Sequence, residues 1–152
     1  MKVKEIMKKE VVSLSKDTKI KDAFGKLLQI HISGLPVLDE NLRIVGMFTE
    51  KDILRAILPG YLEKVGRFIY EENPKIIQKK LLDIQDLTVE KLMRKDVITV
   101  DEDTTLCEVA RIMLTQNVRR IPVLDKEKRV IGIVAREDII KAYAKEARWI
   151  TD

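Results

Sequence analysis

The apolar positions of the chain fall into two matching series. From Ile20 they recur at Ala23, Phe24, Leu27 and Leu28, a spacing of three and four that lays one stripe along a helix; the same spacing returns at Leu106, Val109, Ala110, Met113 and Leu114. Each series follows a short extended segment, "EVVSLS" or "DVITVD", and an Asp-Thr pair. Each precedes two compact apolar runs, "LPVLD" and "RIVGMF" in the first series, "IPVLD" and "RVIGIV" in the second. The polar stretches Asp39-Glu40-Asn41 and Asp125-Lys126-Glu127-Lys128 between the runs predict hairpin turns. A second helix is expected next: "TEKDILRAIL", stopped by Pro59-Gly60, and "REDIIKAYAKEA".

The correspondence is a duplication. Shifted by 86 residues, Val3 to Ala56 align without a gap on Val89 to Ala142, and 16 of the 54 positions are identical. Most of the others are conservative, such as Ile44 against Val130 and Leu54 against Ile140. The unit is strand, helix, strand, strand, helix, an α+β (α/β-type) fold. About fifty residues cannot cover both faces of so small a sheet, so the two copies are expected to pack on each other. The organisation reads as repeat 1 over residues 1–58, a helical connector over 59–86, and repeat 2 with a C-terminal tail over 87–152. In the connector, Asn73-Pro74 followed by Ile77, Leu81 and Ile84 predicts a capped helix, and Tyr61, Leu62, Val65, Phe68 and Ile69 suggest another before it.

Composition narrows the function. The chain is 45% hydrophobic and 36% charged, and its 29 basic and 25 acidic residues are interleaved, leaving a net charge of only +4. That describes a solvated globular surface, not a nucleic-acid or membrane patch. A nucleic-acid reading would have to rest on Lys8-Lys9, Lys79-Lys80 and Arg119-Arg120. Cys107, the single cysteine, excludes an internal disulfide and suits a reducing compartment. No apolar stretch is long enough to span a bilayer, and a cytoplasmic protein is expected. Cys107 lies on the apolar helix pattern as a packing residue. His31, the only histidine, reads as a surface or cap residue, so neither zinc catalysis nor a Ser-His-Asp arrangement is supported. Phosphate-binding glycine loops are absent, and no catalyst is expected. Trp149 reads as a packing or dimer-contact residue.

What remains is the corner where the last strand of each repeat meets its second helix. In repeat 1, Thr49 and Asp52 stand three residues apart at the helix start, which is the spacing of a capping box. The same corner suits a nucleotide: helix N–H groups face a phosphate, and a carboxylate accepts hydrogen bonds from both ribose hydroxyls. Repeat 2 has Ala135 in place of the threonine and keeps Asp138, which suggests that the aspartate does more than complete a cap.

These residues carry a resemblance. The segments "VKEIMKKEVVSLSKDTKIKDA", "SGLPVLDENLRIVGMFTEKDI", "VEKLMRKDVITVDEDTTLCEVA" and "RRIPVLDKEKRVIGIVAREDI" resemble the cystathionine-beta-synthase (CBS) domain, and the whole chain resembles a tandem CBS pair, the Bateman module. The resemblance implies two β-α-β-β-α repeats about a pseudo-two-fold axis and a binding module, not an enzyme. It implies an adenosine-containing ligand (AMP, ADP, ATP or S-adenosylmethionine) in a cleft between repeats. By the same resemblance Asp52 and Asp138 would hold the ribose and Thr49 would face phosphate. The adenine would lie among Ile32, Leu35 and Pro36, or Val118, Ile121 and Pro122, and Ser13 and Thr18, or Thr99 and Thr104, would close the pocket. Arg119 or Arg120, where repeat 1 has Ser33-Gly34, would reach phosphate. One good site and one weakened by Ala135 are expected. The implied function is a stand-alone regulatory sensor that signals to a partner protein; the alternative is a dimerisation scaffold, a disc-like homodimer with degenerate sites.

Overall fold

A computed structural model describes residues 1–58 and 74–152. Pro59-Gly60, the segment from Tyr61 to Ile69 and the cap at Asn73 lie outside the described residues. In chain order the described residues comprise a 3-10 turn at Val3–Glu5, β1 (Leu14–Ser15), α1 (Ile20–Ile30), β2 (Gly34–Leu38), β3 (Ile44–Thr49) and α2 (Glu50–Ile57), then α3 (Pro74–Ile84), α4 (Val89–Leu92), β4 (Val100–Asp101), α5 (Leu106–Thr115), β5 (Arg120–Leu124), β6 (Val130–Ala135) and α6 (Arg136–Glu146). The strand, helix, strand, strand, helix order stands in both repeats. The strands form two three-stranded sheets, β1-β2-β3 and β4-β5-β6.

The sheets repeat each other in register. β1 runs parallel to β2 with Leu14 opposite Val37, and β4 runs parallel to β5 with Val100 opposite Val123. Because β1 covers only Val37 and Leu38, the middle strand is open on that side at Pro36, and the missing N–H there costs no ladder bond. β5 pairs antiparallel with β6, with an irregularity between Val123 and Leu124. Both hairpins turn through a left-handed residue, Leu42 (φ 65°) and Lys128 (φ 66°), a conformation that the sequence did not announce. Asp125 ties the second hairpin by accepting from the N–H groups of Glu127 and Arg129 through Oδ1, at 2.8 and 2.9 Å.

Two compact units emerge, and they do not follow the repeat boundaries. One comprises Met1–Val12, Glu40–Ile44 and Ile98–Asp152; the other comprises Ser13–Asp39 and Val45–Val97. Each repeat therefore contributes its lead-in to the unit built on the other repeat. Val3, fully buried, belongs to the core of Leu106, Val109, Met113, Ile121, Val123 and Val134. Val89, fully buried, belongs to the core of Leu14, Ile20, Leu27, Leu35, Val37 and Phe48. Backbone bonds fasten both lead-ins in the same way. Lys8 and Ile133 exchange N–H···O bonds at 2.9 and 3.0 Å, and Met47 and Arg94 exchange two at 2.9 Å. Glycine is needed beside each contact: a Cβ on Gly46 would lie 2.7 Å from the Arg94 carbonyl oxygen, and one on Gly132 would lie 3.1 Å from that of Lys8.

The apolar stripes are wider than the cores. Ile20, Ala23 and Leu27 are buried, but Phe24 and Leu28 on the same helix are exposed, and Leu114 on α5 is 76% exposed. On α3, Ile84 joins the core and Ile77 packs against it, while Leu81 stays exposed. Trp149 is 82% exposed. Cys107 is also exposed, with its Sγ 3.3 Å from the Tyr143 hydroxyl. The expectation that it is a packing residue is corrected: it aligns with Lys21, on the outward side of the helix.

Candidate functional site

The first corner is built by the turn from β3 into α2. Thr49 is still extended (φ −133°, ψ 167°) when the helix begins, so its N–H has no ladder or helix partner. Asp52 reaches back to it: the Thr49 N–H donates to Oδ2 at 2.8 Å, and the Arg55 guanidinium donates to Oδ1 at 3.1 Å. Asp52 is 3% exposed, the one charged or polar side chain buried among the described residues. Burial raises its carboxyl above the usual aspartate range; the Thr49 N–H, Arg55 and Arg94 oppose that rise without cancelling it.

The second corner repeats the bond without the hydroxyl. Ala135 is extended (φ −109°, ψ 160°), and its N–H donates to Asp138 Oδ2 at 2.8 Å. Lys8 brings its ammonium to 3.8 Å from Oδ1 and 4.0 Å from Glu137. The donor is a backbone N–H, which a change from threonine to alanine leaves in place. Survival of Asp138 beside Ala135 therefore follows from capping alone, and the inference drawn from it in the sequence does not discriminate between cap and ligand.

The residues before the middle strands differ in kind. Leu35 and Ile121 are core residues, and strand alternation turns Pro36 and Pro122, both buried, to the opposite face. Ile32 and Val118 are half-buried. Gly34 lies against Thr49, and a Cβ there would stand 2.6 Å from the threonine methyl. In repeat 2 the aligned pair is Arg120 opposite Ala135 in the β5–β6 register. Loss of the threonine and gain of a side chain at position 120 are thus one packing event, since the smaller corner residue leaves room for the Cβ of Arg120. Arg119 is exposed and Arg120 half-buried, and neither forms an ion pair among the described residues.

Within one unit the structure brings together Arg119, Arg120, Val118, Ala135 and Asp138; within the other it brings together Ile32, Gly34, Thr49 and Asp52. The lead-in residues serve the backbone. The carbonyls of Thr18 and Thr104 each accept at 2.8 Å from Val89 and Val3, and the Ser13 carbonyl accepts from Lys26 at 2.8 Å. Thr99 is half-buried. Sequence reasoning missed Arg94 and Lys8 beside the carboxylates, because nothing local shows that the lead-ins change units, and it missed Arg55, whose i,i+3 spacing from Asp52 on α2 was available. It also missed Arg136, whose signal was available: it aligns with Glu50, a reversal of charge at the helix start. His31 is, as expected, an exposed cap, the left-handed C-cap of α1 (φ 56°). Among the described residues no group of three or more His, Cys, Asp or Glu could hold a metal, and no helix is long and apolar enough to cross a membrane.

The sequence signature of the CBS domain matches residues 3–59 and again 89–145. Protein MJ1426 of Methanocaldococcus jannaschii is 31% identical, over 93% of this chain and 90% of its own length. Among solved structures, the CBS-pair protein CBSX2 of Arabidopsis thaliana superposes with a TM-score of 0.78 at 26% identity, covering 97% of this chain and 96% of that one. CBSX2 has also been crystallised in complex with AMP, with a TM-score of 0.74. The CBS domain pair of protein MJ0100, crystallised with 5′-methylthioadenosine and S-adenosyl-L-methionine, gives a TM-score of 0.68 at 29% identity over 96% of this chain and 98% of that one.

Two outcomes are expected from the corners themselves. Gly34→Ala should destabilise the protein by about 1–3 kcal/mol through overpacking, and most of that loss should vanish in a Thr49→Ala background. A double-mutant cycle by urea denaturation reads the coupling; additive losses would show that the methyl contact is not the cause. The second concerns pH. A carboxyl raised by burial stabilises the fold below its unfolded value and loses that contribution as pH rises through the folded one. Asp52→Asn keeps an acceptor for the Thr49 N–H and cannot ionise. Wild type should therefore lose thermal stability relative to Asp52→Asn as pH climbs through the acid range, with the gap constant above it.

Proposed function

Because the chain belongs to the CBS domain family, with two tandem repeats that span most of its length, we propose that it is a regulatory module that binds an adenosine-containing ligand and transmits occupancy to a partner protein. In the unit that holds β3 and α2, Asp52 is the proposed ribose acceptor, Thr49 its hydroxyl neighbour and Ile32 the half-buried apolar surface for adenine. In the unit that holds β6 and α6 the proposed counterparts are Asp138 for ribose, Val118 for adenine and Arg119 or Arg120 for phosphate. The observation that carries the reading is the pair of arginines. Arg119 precedes β5 and Arg120 opens it, neither guanidinium forms an ion pair among the described residues, and the aligned Ser33 and Gly34 of repeat 1 carry no charge. Unpaired arginines suit a phosphorylated ligand, which favours AMP, ADP or ATP over the cationic S-adenosylmethionine. That CBSX2 has been crystallised with AMP supports the same class. Ligand binding would act by stabilising one of two packings.

Titration calorimetry with AMP, ADP, ATP and S-adenosylmethionine tests this, with Asp52→Ala and Asp138→Ala compared. A phosphorylated ligand should bind at micromolar strength. Asp52→Ala should abolish binding and Asp138→Ala should weaken it less, in samples shown to be folded. Absence of binding at millimolar ligand by the folded wild type would remove the reading.

A second reading, a self-associating scaffold, is favoured by one observation. The helical face of each unit leaves large apolar side chains in solvent: Phe24, Leu28 and Leu54 in one, Leu114 and Ile140 in the other. In the unit that carries Phe24 a groove of about 590 Å³ with mostly apolar walls opens between α1, α2 and α3. On this reading the protein sediments as a dimer without ligand, and Leu114→Lys with Ile140→Lys yields a folded monomer; a wild-type monomer at all concentrations would eliminate it.

A further inference from the structure

The start of α6 contains a charge in the electrostatically wrong place. Arg136 is the first residue of the helix, where unsatisfied N–H groups favour an anion, and the aligned residue of α2 is the well-placed Glu50. Its own bonds supply a reason for an arginine there. The Arg136 N–H donates to the Arg119 carbonyl at 3.1 Å, its Nε to the Val118 carbonyl at 3.2 Å, and its Nη2 to Asn117 Oδ1 at 3.3 Å. One residue thus holds three consecutive residues, at the turn where Asn117 is left-handed (φ 53°).

The first repeat has the same turn without the clamp. His31 is left-handed as well (φ 56°), and the Glu50 N–H donates to the Ser33 carbonyl at 3.0 Å. The backbone bond is common to both repeats, but a glutamate carboxylate cannot donate to a carbonyl. The side-chain clamp therefore occurs only in the repeat whose turn leads into two arginines. Fixing that turn fixes the direction in which the chain enters β5, and so the start of the Arg119 and Arg120 side chains.

We infer that Arg136 is a positioning residue, which holds the turn before β5 so that Arg119 and Arg120 are pre-ordered to take the phosphate of an incoming ligand. It sets the preference for phosphorylated over unphosphorylated adenosine compounds. This rests on the nucleotide-binding reading above, and it goes beyond that reading in naming the residue that confers selectivity. Pre-ordering lowers the cost of immobilising two rotamer-rich side chains when the ligand arrives. Arginine is required because its planar fork reaches two acceptors at once; lysine presents a single point charge.

The test compares wild type, Arg136→Met and Arg136→Lys by calorimetry with AMP and with 5′-methylthioadenosine, and by hydrogen exchange of the Val118 to Arg120 amides. In Arg136→Met, AMP affinity should fall about tenfold, the loss of two side-chain hydrogen bonds. Affinity for 5′-methylthioadenosine should not change, and the amides should exchange faster; Arg136→Lys should rescue neither AMP affinity nor protection fully. Equal losses for both ligands would show a merely structural role and overturn the inference, as would unchanged AMP affinity. If wild type binds neither compound, the nucleotide reading fails, and inorganic tripolyphosphate becomes the probe. Binding that weakens about tenfold in Arg136→Met sustains the positioning role, while binding that is absent or unaltered overturns it.

Discussion

The exchange of lead-in segments is the constraint on which the rest depends. Val3 and Val89 are fully buried, each in a core built on the other repeat, to which the connector adds Ile84 on the Val89 side. A small three-stranded sheet with two helices leaves one end of its core open, and a valine from the duplicate closes it. The paired backbone bonds of Lys8 with Ile133 and of Arg94 with Met47 then extend each sheet by one bridge. Gly46 and Gly132 exist for that approach. The same exchange delivers Lys8 to Asp138 and Arg94 to the surroundings of Asp52, so the electrostatics of each corner comes partly from the other half of the sequence.

At the corners, one bond serves two purposes. The aspartate at the third helical position satisfies an N–H that would otherwise be orphaned, and this suffices to explain why both repeats have it. A ligand that uses the carboxylate must share it with that N–H, and at Asp52 also with Arg55. Differences between the repeats are coupled: Gly34 goes with Thr49, and Arg120 goes with Ala135, because the two positions face each other in neighbouring strands. Repeat 2 is therefore not simply a degraded copy. It has exchanged a hydroxyl for positive charge.

Much of the architecture was legible. The helical stripe at Ile20, Ala23 and Leu27 and the runs around Pro36 and Pro122 located the elements, and the 86-residue shift located the duplication. Asp52, Asp138, Arg119 and Arg120 were all visible as candidates. Periodicity overestimated the core, however. Phe24, Leu28 and Leu114 lie on the stripe but outside the packed volume, because apolar spacing marks the face a helix turns toward the core without measuring how wide a strip the packed elements cover. Cys107 misled for the same reason, next to a buried leucine but on the outward side of its helix.

By itself the sequence determined the unit, its duplication, the turns and the residue types available at each corner, since these depend on spacing within a dozen residues and on the geometry of helix and strand. Only the tertiary structure decided which lead-in closes which core, that Lys8 comes to Asp138, and that Arg136 grips the turn before Arg119 and Arg120. Those outcomes depend on contacts between segments tens of residues apart, where steric fit and the demand that buried donors find acceptors choose among partners that local pattern leaves equivalent.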